Sequence, residues 1–346
     1  MRERRDNILL SLSEVFISWP TFWKIVEAVK IEEIPDKIEV LFREGIIRKR
    51  TYELLKGINW DRDRKGELSS RGIGYMTYLD DRYPERLRKM KYPPYVIFYI
   101  GDLSVASEPT VGIVGSRKAS KLGREFTRNE ASKIANAGYV IVSGFAHGID
   151  TEAHIGAISS GKTIAVLGTA CDDVYPRENL KLYKEILDRG NLVLSPFYNS
   201  IRHKFVFHIR NSIISALSDY LVVVEAGSKS GAMITATYAF EIGVPVYAVP
   251  GKPWDPSSKG TNRLIKMGAK LYESYEDLGI VENRGQKVLD FGRFDGDLPY
   301  GPFTVEDLAY VKNMDIQEAQ VLLMELEILG LVKKVGPGVY EKVNNS

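Results

Sequence analysis

The fold is decided at residues 111–117, Val-Gly-Ile-Val-Gly-Ser-Arg, where an apolar run ends in a turn of small residues. Two later stretches repeat this pattern. They read Val-Ser-Gly-Phe-Ala-His-Gly at 142–148 and Val-Val-Val-Glu-Ala-Gly-Ser-Lys-Ser-Gly at 222–231. Continuous Val and Ile runs predict strands buried on both faces, as in a parallel sheet covered by helices. Carboxyl ends of parallel strands share one edge, so we expect the three turns to lie side by side.

The three turns predict an anion site, because backbone N–H groups at helix N-termini favour negative charge. The candidate residues of the turns are Gly115, Ser116, Arg117, Lys118, Ser143, Gly144, His147, Ser230, Gly231 and Thr235. Arg117 would bind a phosphate in a bidentate manner. An exposed arginine in a surface ion pair fits the same position equally well, and a lone loop His147 is more often a solvated side chain.

Composition limits the class of protein. The chain has 346 residues, of which 44% are hydrophobic and 27% charged, and its net charge is +2. These values predict a globular protein of two or three domains without a global basic field. One cysteine and four histidines argue against a disulfide framework and a zinc site, so we expect no metal and no cofactor. The lack of a signal-type or membrane-spanning apolar run predicts a cytoplasmic protein.

Three domains are predicted. Residues 1–65 carry apolar residues at helical spacing, and the polar stretch from Trp60 to Gly66 is interpreted as a linker. Residues 72–282 alternate strands with helices and predict a doubly wound, Rossmann-like α/β domain with a mainly parallel sheet. The predicted strands are Val96–Tyr99, Val111–Val114, Val140–Ser143, Ile164–Leu167, Leu192–Leu194, Leu221–Glu225 and Val246–Val249.

The third predicted domain, residues 295–346, has the order of a winged helix. A capping-box pattern begins a helix at Thr304, a second amphipathic helix covers Asp315–Leu329, and a hairpin turns at Gly336–Gly338. From residue 301 onward there are four lysines and seven acidic residues, so the net charge is 4 − 7 = −3. Phosphate repulsion would oppose insertion into DNA. We therefore interpret this domain as a protein-contact or regulatory unit.

Residues 201–211, Ile-Arg-His-Lys-Phe-Val-Phe-His-Ile-Arg-Asn, mix bases with aromatic rings before a helix predicted over Ser212–Leu217. Bases of single-stranded DNA stack on rings while cations bind the phosphates. Lys204, Phe205, Phe207, Arg210 and Asn211 are therefore candidate DNA contacts, although each phenylalanine by itself would fit a core position. Arg177 opens a helix at the same sheet edge and is a further candidate, or a solvated helix-start arginine.

Two features favour a structural role. Glu225 ends a buried strand without a partner acid, so we expect it to hold a neighbouring loop amide. Asp150 is expected to cap the following helix.

The stretch 156–163, Gly-Ala-Ile-Ser-Ser-Gly-Lys-Thr, fits a phosphate-loop pattern. However, a predicted helix precedes it and a strand follows, which is the reverse of the order a phosphate loop needs.

An ordered set of motifs resembles the DNA-processing protein A (DprA, or Smf) family. The motifs are Gly115-Ser-Arg, the segments 143–150 and 164–168, Tyr175-Pro, Arg210-Asn, the segment 222–226, Ser230-Gly, Val249-Pro-Gly and Gly260-Thr-Asn. This resemblance implies a homodimeric single-stranded DNA-binding protein without known catalytic activity. It further implies a role in natural transformation, in which the protein protects incoming strands and loads the RecA recombinase.

By the same resemblance, Arg117 matches the family's phosphate-contacting arginine, and Arg210-Asn211 match the pair that lines its DNA pocket. Arg177 falls where the family often has a base. The chain departs from the family at His208, Ile209 and Ser212, where two usual bases are missing, and at His147, where arginine is common. The N-terminal helices also lack a clear helix-hairpin-helix turn. We expect these changes to affect the affinity for DNA rather than the fold.

An enzymatic alternative belongs to the same fold superfamily. Nucleotide hydrolases that resemble lysine decarboxylase-like proteins cleave the base from a nucleoside monophosphate. They carry a Pro-Gly-Gly-containing turn where this chain has Glu225-Ala-Gly-Ser-Lys-Ser-Gly231. Since the catalytic glutamate spacing is missing, we predict that the protein is not an enzyme.

Overall fold

The structure is a computed structural model that describes residues 2–280, 298–299, 301–328, 331–336 and 338–343. The chain divides into two compact units, residues 1–284 and 285–346. The helices of the first unit are α1 (Arg2–Glu14), α2 (Trp19–Ala28), α3 (Ile34–Arg43), α4 (Lys49–Lys56), α5 (Arg64–Ser70), α6 (Glu85–Arg88), α7 (Lys121–Asn136), α8 (Ile149–Ser160), α9 (Leu180–Asp188), α10 (Phe205–Leu217), α11 (Gly231–Glu241) and α12 (Lys259–Lys266).

A nine-stranded sheet forms the centre of this unit. Its strands are β1 (Gly74–Thr77), β2 (Val96–Gly101), β3 (Thr110–Val114), β4 (Val140–Ser143), β5 (Thr163–Val166), β6 (Leu192–Ser195), β7 (Tyr220–Val223), β8 (Val246–Ala248) and β9 (Lys270–Leu271). The spatial order is β1-β2-β6-β5-β4-β3-β7-β8-β9. All pairings from β6 to β9 are parallel, whereas β1 and β2 are antiparallel to their neighbours.

Both faces of the sheet are buried, which confirms the prediction of a doubly wound α/β fold. Strand β4 shows this: Val140 and Val142 pack into one hydrophobic cluster, and Ile141 packs into another on the opposite face. Helix α10 contributes Ile213 to the first cluster, and α8 contributes Ala153 to the second. The phosphate-loop pattern indeed lies between the end of α8 and the start of β5, on the wrong side of the strand.

The helical N-terminal segment is attached more closely than its sequence indicated. Its side chains share one hydrophobic cluster with Tyr95 and Phe98 of the β2 region. The segment predicted to be a linker turns into α5, whose first residue, Arg64, is only 2% exposed. Arg64 donates to Glu14 at 2.7 Å and to the carbonyl of Asn59 at 2.9 Å. Polar composition suggested a solvated linker, but these side chains bond to one another.

Two strands were not predicted. Strand β1 is short and only half buried, and β9 consists of two exposed residues. Neither carries the continuous apolar run that marked the central strands, because both lie at the edges of the sheet. Edge strands are short and polar in many proteins, so composition detects them poorly.

The second unit contains the predicted order of helix, helix and hairpin. Helix α13 (Val305–Lys312) begins at a capping box in which Thr304 and Asp307 bond reciprocally, as predicted. Helix α14 (Ile316–Ile328) is followed by the antiparallel strands β10 (Val332–Gly336) and β11 (Val339–Lys342). The assignment of the second unit as a winged helix stays a prediction. The predicted boundary between the domains at 72–282 and 295–346 and the end of the second helix at Leu329 lie outside the described residues.

Candidate functional site

The three predicted turns meet in one cavity. Strands β4, β3 and β7 are neighbours in the sheet, so the turns that follow them lie at adjacent positions on its carboxyl edge. A cavity of about 500 Å³ lies there. Ten of the predicted site residues line it: Gly115, Ser116, Arg117, Lys118, Phe207, Arg210, Asn211, Ser230, Gly231 and Thr235.

One wall of the cavity is a helix, although the sequence predicted that residues 201–211 precede the helix. Helix α10 begins at Phe205, seven residues before the start predicted at Ser212. Phe207, Arg210, Asn211 and Ile214 therefore lie on one helical face, at the spacing i, i+3, i+4 and i+7, and all four line the cavity. The regular backbone holds the ring, the cation and the amide of this face together.

Arg210 is the most unusual group in the cavity. Its side chain is 4% exposed, and its Nε and Nη1 atoms have no hydrogen-bond partner. Its nearest counterion is Asp150, with Nη1 and Oδ2 3.6 Å apart. Burial lowers the pKa of Arg210 and raises the pKa of Asp150, because water no longer solvates either charge. A bound anion would supply the missing hydrogen-bond acceptors.

Arg117 brings a second guanidinium to the same place. Its central carbon lies 4.9 Å from the centroid of the Phe207 ring, and that of Arg210 lies 5.9 Å from the same ring. Both distances are within the range of cation–π contacts. No ion-pair partner of Arg117 lies among the described residues. The exposed side chain of Arg117 and the buried one of Arg210 thus face a common aromatic ring.

The turn after β4 lines the cavity through Ala146, whereas its residues Ser143 and Gly144 do not line it. The Ser143 hydroxyl is fully buried and donates to the carbonyl of Ile113 at 2.6 Å. A side chain at Gly144 would overlap Nη1 of Arg210, so only glycine leaves room for the guanidinium. Ser143 and Gly144, predicted to contact a phosphate directly, therefore support Arg210 from below.

The turn after β7 forms the opposite wall. The Ser230 hydroxyl accepts from the amide of Ala232 and begins α11, while the Ser230 amide donates to Gly227 at 3.0 Å. Asn211 donates to the carbonyl of Gly231 at 3.2 Å, which ties α10 to this turn. Glu225 accepts from the amide and the hydroxyl of Ser120, at 2.9 and 2.6 Å. This confirms that Glu225 holds a neighbouring loop.

Four predicted residues lie outside the cavity. Phe205 is half buried, and its ring centroid lies 5.6 Å from that of Phe16. Lys204 is exposed at the start of α10, and Arg177 is exposed in a 3-10 turn after β5. His147 is 50% exposed, with its Nε2 atom 3.8 Å from Glu178.

Sequence analysis missed the role of Asp150. It was expected to cap α8, but Gly148 occupies the N-cap position and Asp150 turns toward Arg210. The two residues are 60 positions apart, so no local pattern joins them. Lys229 and His208 also line the cavity and were not singled out.

The described residues offer neither a metal site nor a membrane-spanning helix. They contain no group of three or more His, Cys, Asp or Glu side chains placed to hold a metal ion. Nor do they contain a helix of the length and apolarity needed to cross a membrane. Cys171 is buried and unpaired, and burial raises the pKa of its thiol.

The fold and the cavity define a doubly wound α/β protein with a cationic site at the carboxyl edge of its sheet. Residues 74–282 match the family of DNA recombination-mediator protein A, and the chain belongs to this family. It is 42% identical over 204 residues to DNA processing protein DprA of Streptococcus pneumoniae, which covers 58% of this chain and 72% of the relative. It is 32% identical over 291 residues to protein Smf of Escherichia coli, covering 76% of each.

Solved structures agree with this assignment. An X-ray structure of DNA processing protein A from Streptococcus pneumoniae superposes with a TM-score of 0.68 at 34% identity, covering 79% of this chain and 96% of that one. A structure of DNA processing protein A from Helicobacter pylori, reported for its single-stranded DNA binding mode, gives a TM-score of 0.54 at 31% identity. It covers 59% of this chain and 93% of its own. The resemblance seen in the sequence is therefore confirmed.

Proposed function

We propose that this protein binds single-stranded DNA in the cavity beside Arg210 and has no catalytic activity. The observation that carries the proposal is the buried guanidinium of Arg210, which has two nitrogen atoms without partners. Together with Arg117 and the amides of Gly115–Ser116, it would hold a phosphate. The single-stranded DNA binding mode reported for the Helicobacter pylori relative supports the same ligand.

The shape of the cavity favours a single strand over a duplex. A concave site of about 500 Å³ suits a flexible strand, whereas a duplex reader would project a helix or a ribbon into a groove. Phe207 offers a ring on which an unpaired base would stack. Backbone phosphates and stacking carry little sequence information, so we expect weak sequence preference and strong salt dependence.

Glu225 does not line the cavity and Asp150 is the counterion of Arg210, which argues against the hydrolase alternative. Both oxygens of Glu225 accept from Ser120, and Asp150 accepts from the amide of Ala146 beside Arg210. A general acid or base needs a carboxyl group that is within reach of the substrate and not held as a counterion. Release of free base from a panel of nucleoside monophosphates, abolished by Glu225→Gln, would overturn this part of the proposal.

The wider biological role is proposed by kinship with the family. It comprises protection of single strands in natural transformation, loading of the RecA recombinase, a homodimer and a cytoplasmic location. The second unit, whose net charge from residue 301 onward is 4 − 7 = −3, suits a basic protein surface better than DNA. We therefore propose it as a protein-contact module.

The direct test is fluorescence anisotropy with single-stranded and duplex oligonucleotides over a salt series. The wild type should prefer the single strand, and its affinity should fall with salt with a slope of about −0.7 per phosphate contact. The variant Arg117→Ala/Arg210→Ala should bind at least about 100-fold more weakly, since charge-assisted hydrogen bonds contribute about 1.5–3 kcal/mol each.

A matched control removes an arginine from the opposite edge of the sheet. Arg189 precedes β6 and pairs with Glu185 at 3.1 Å, and Arg189→Ala should bind DNA as the wild type does. Circular dichroism of all variants would exclude misfolding. Equal affinity of the double variant and the wild type would refute the assigned site, and a preference for duplex would refute the proposed ligand.

A further inference from the structure

An exposed tryptophan lies close to the cavity. Trp254 is 77% exposed, more than any other Trp, Tyr or Phe among the described residues of the first unit. The remaining tryptophans, Trp19, Trp23 and Trp60, are half buried. An exposed indole ring offers a large, rigid apolar surface to a ligand or partner.

The loop holds Trp254 in this exposed position by hydrogen bonds. The amide of Asp255 donates to the carbonyl of Lys252 at 3.0 Å, which closes a turn around Trp254. The carboxylate of Asp255 accepts from both the amide and the hydroxyl of Ser257, at 2.8 Å each. The ring is therefore presented by a bonded turn and not by a loose loop.

The same loop is fixed to the rim of the cavity. The amide of Ala226 donates to the carbonyl of Ser257 at 2.8 Å, and the amide of Gly260 donates to the carbonyl of Ala226 at 2.7 Å. Residues 227–231 follow directly and form a cavity wall. Strand β8, which leads into the loop, is the neighbour of β7. The loop that carries Trp254 thus follows the strand next to β7 and is bonded to the residue that precedes the cavity wall.

Positive charge accompanies the ring. Lys229, Lys252 and Lys259 are exposed on the cavity wall, in the tryptophan turn and at the start of α12. None of the three has an ion-pair partner in the part of the chain that the structure describes. The one acidic group of the turn, Asp255, is bound by Ser257. Unpaired lysines beside an exposed ring are the combination that binds single-stranded nucleic acid.

We propose that Trp254 is a second base-stacking subsite, which binds a nucleotide next to the one held in the cavity. The base would lie on the indole ring, and Lys229 and Lys252 would contact the intervening phosphates. This proposal rests on the proposed function and adds a direction to it. The bound DNA strand would run from the cavity outward, past the ends of β7 and β8. Stacking tolerates any base, so this subsite would add affinity without sequence preference.

The indole ring itself reports on this subsite. Titration with an oligothymidylate of about 12 nucleotides should quench tryptophan emission, whereas one of about 4 should bind in the cavity with less quenching. Trp254→Phe should bind as the wild type does but lose the quenching. Trp254→Ala should bind the longer strand about 5-fold or more weakly, because the stacking surface is gone. Tyr310→Ala, which removes a tyrosine that is 88% exposed in the second unit, is the matched control.

The outcomes separate this proposal from the proposed function. If Trp254→Ala binds the longer strand as tightly as the wild type, and Arg117→Ala/Arg210→Ala does not bind, the cavity is the DNA site and the tryptophan subsite is refuted. If the wild type binds no single-stranded DNA, both proposals fail. If emission changes with protein concentration without DNA, and Trp254→Ala alters the oligomeric state, a second copy covers the ring and the subsite is again refuted.

Discussion

The cavity and the second unit carry opposite charges. The cavity lining contains Arg117, Lys118, Arg210 and Lys229 against Asp150, a balance of 4 − 1 = +3 with His208 neutral. From residue 301 onward the balance is −3. The chain as a whole is nearly neutral at +2, so its net charge conceals both regions. Ligand binding depends on the charges near the site and not on the net charge of the chain, because exposed charges are screened beyond about 8–10 Å.

The two regions also differ in how their charges are held. In the cavity, Arg210 and Asp150 are buried and in part unsatisfied, whereas the acidic side chains Glu318 and Glu327 of α14 are exposed. Buried charges are costly unless paired, while exposed charges cost little. A buried charge with unpaired hydrogen-bond donors indicates a binding site more strongly than a solvated acidic helix does.

The largest effect should come from breaking the buried pair. Asp150→Ala leaves the Arg210 guanidinium buried without a counterion, and we expect a loss of about 3–5 kcal/mol in the free energy of unfolding. Glu185→Ala breaks the exposed pair with Arg189 and should cost less than about 1 kcal/mol. Urea denaturation of both variants measures the contrast. Equal losses would mean that the cavity pair behaves as a surface pair.

A smaller effect should follow from filling the space that Arg210 needs. Gly144→Ala changes no charge but overlaps the guanidinium, so we expect about 1–3 kcal/mol of destabilisation and weaker DNA binding. Gly231→Ala lines the same cavity, and its added methyl would lie 3.9 Å from Nδ2 of Asn211, an ordinary contact. Anisotropy should show about 10-fold weaker binding for the first variant only. If Gly144→Ala binds DNA as tightly as the wild type, Arg210 is not part of the DNA site.

A still smaller effect is expected from reversing charge in the second unit. Glu318→Lys/Glu327→Lys places two cations on exposed positions of α14. Exposed charges contribute about 0.5 kcal/mol each, so the two substitutions together should raise the affinity for duplex DNA by no more than about 5-fold at low salt. The wild-type protein and Lys162→Ala give the reference affinities for duplex DNA. Lys162 directly precedes β5, at the opposite end of the strand from the cavity. A rise of about 100-fold would reveal a latent duplex-binding surface.

The smallest effect concerns the pH dependence of the second unit. Hydrogen bonds from the Thr304 amide and hydroxyl lower the pKa of Asp307 below its unfolded value. Its stabilising contribution is therefore present above about pH 4 and is lost as the pH falls through the lowered pKa. Amide hydrogen exchange of α13, corrected for intrinsic rates, should show less protection in Asp307→Asn than in the wild type near neutral pH. This difference should vanish at about pH 2; a difference that persists there would exclude the carboxylate as its cause.

Much of the fold was predictable because its central strands are continuous apolar runs. Burial on both faces demands such runs, so all seven predicted strands exist within one or two residues of their limits. The start of α10 was misplaced because His203, Lys204 and two phenylalanines resemble an exposed basic loop. Tertiary contacts of Phe205 with Phe16, and of Phe207 with the arginines, favour a helix there.

The sequence by itself determined the order of strands and helices, the turns that end at one sheet edge and the motifs that mark the family. These are local properties, set by residue type and spacing along the chain. Only the tertiary structure decided that Arg210 is buried, that Asp150 is its counterion and that Gly144 leaves it room. These contacts join residues 60 or more positions apart, and burial is what gives them their energy: charges withdrawn from water must find partners in the protein or in a ligand.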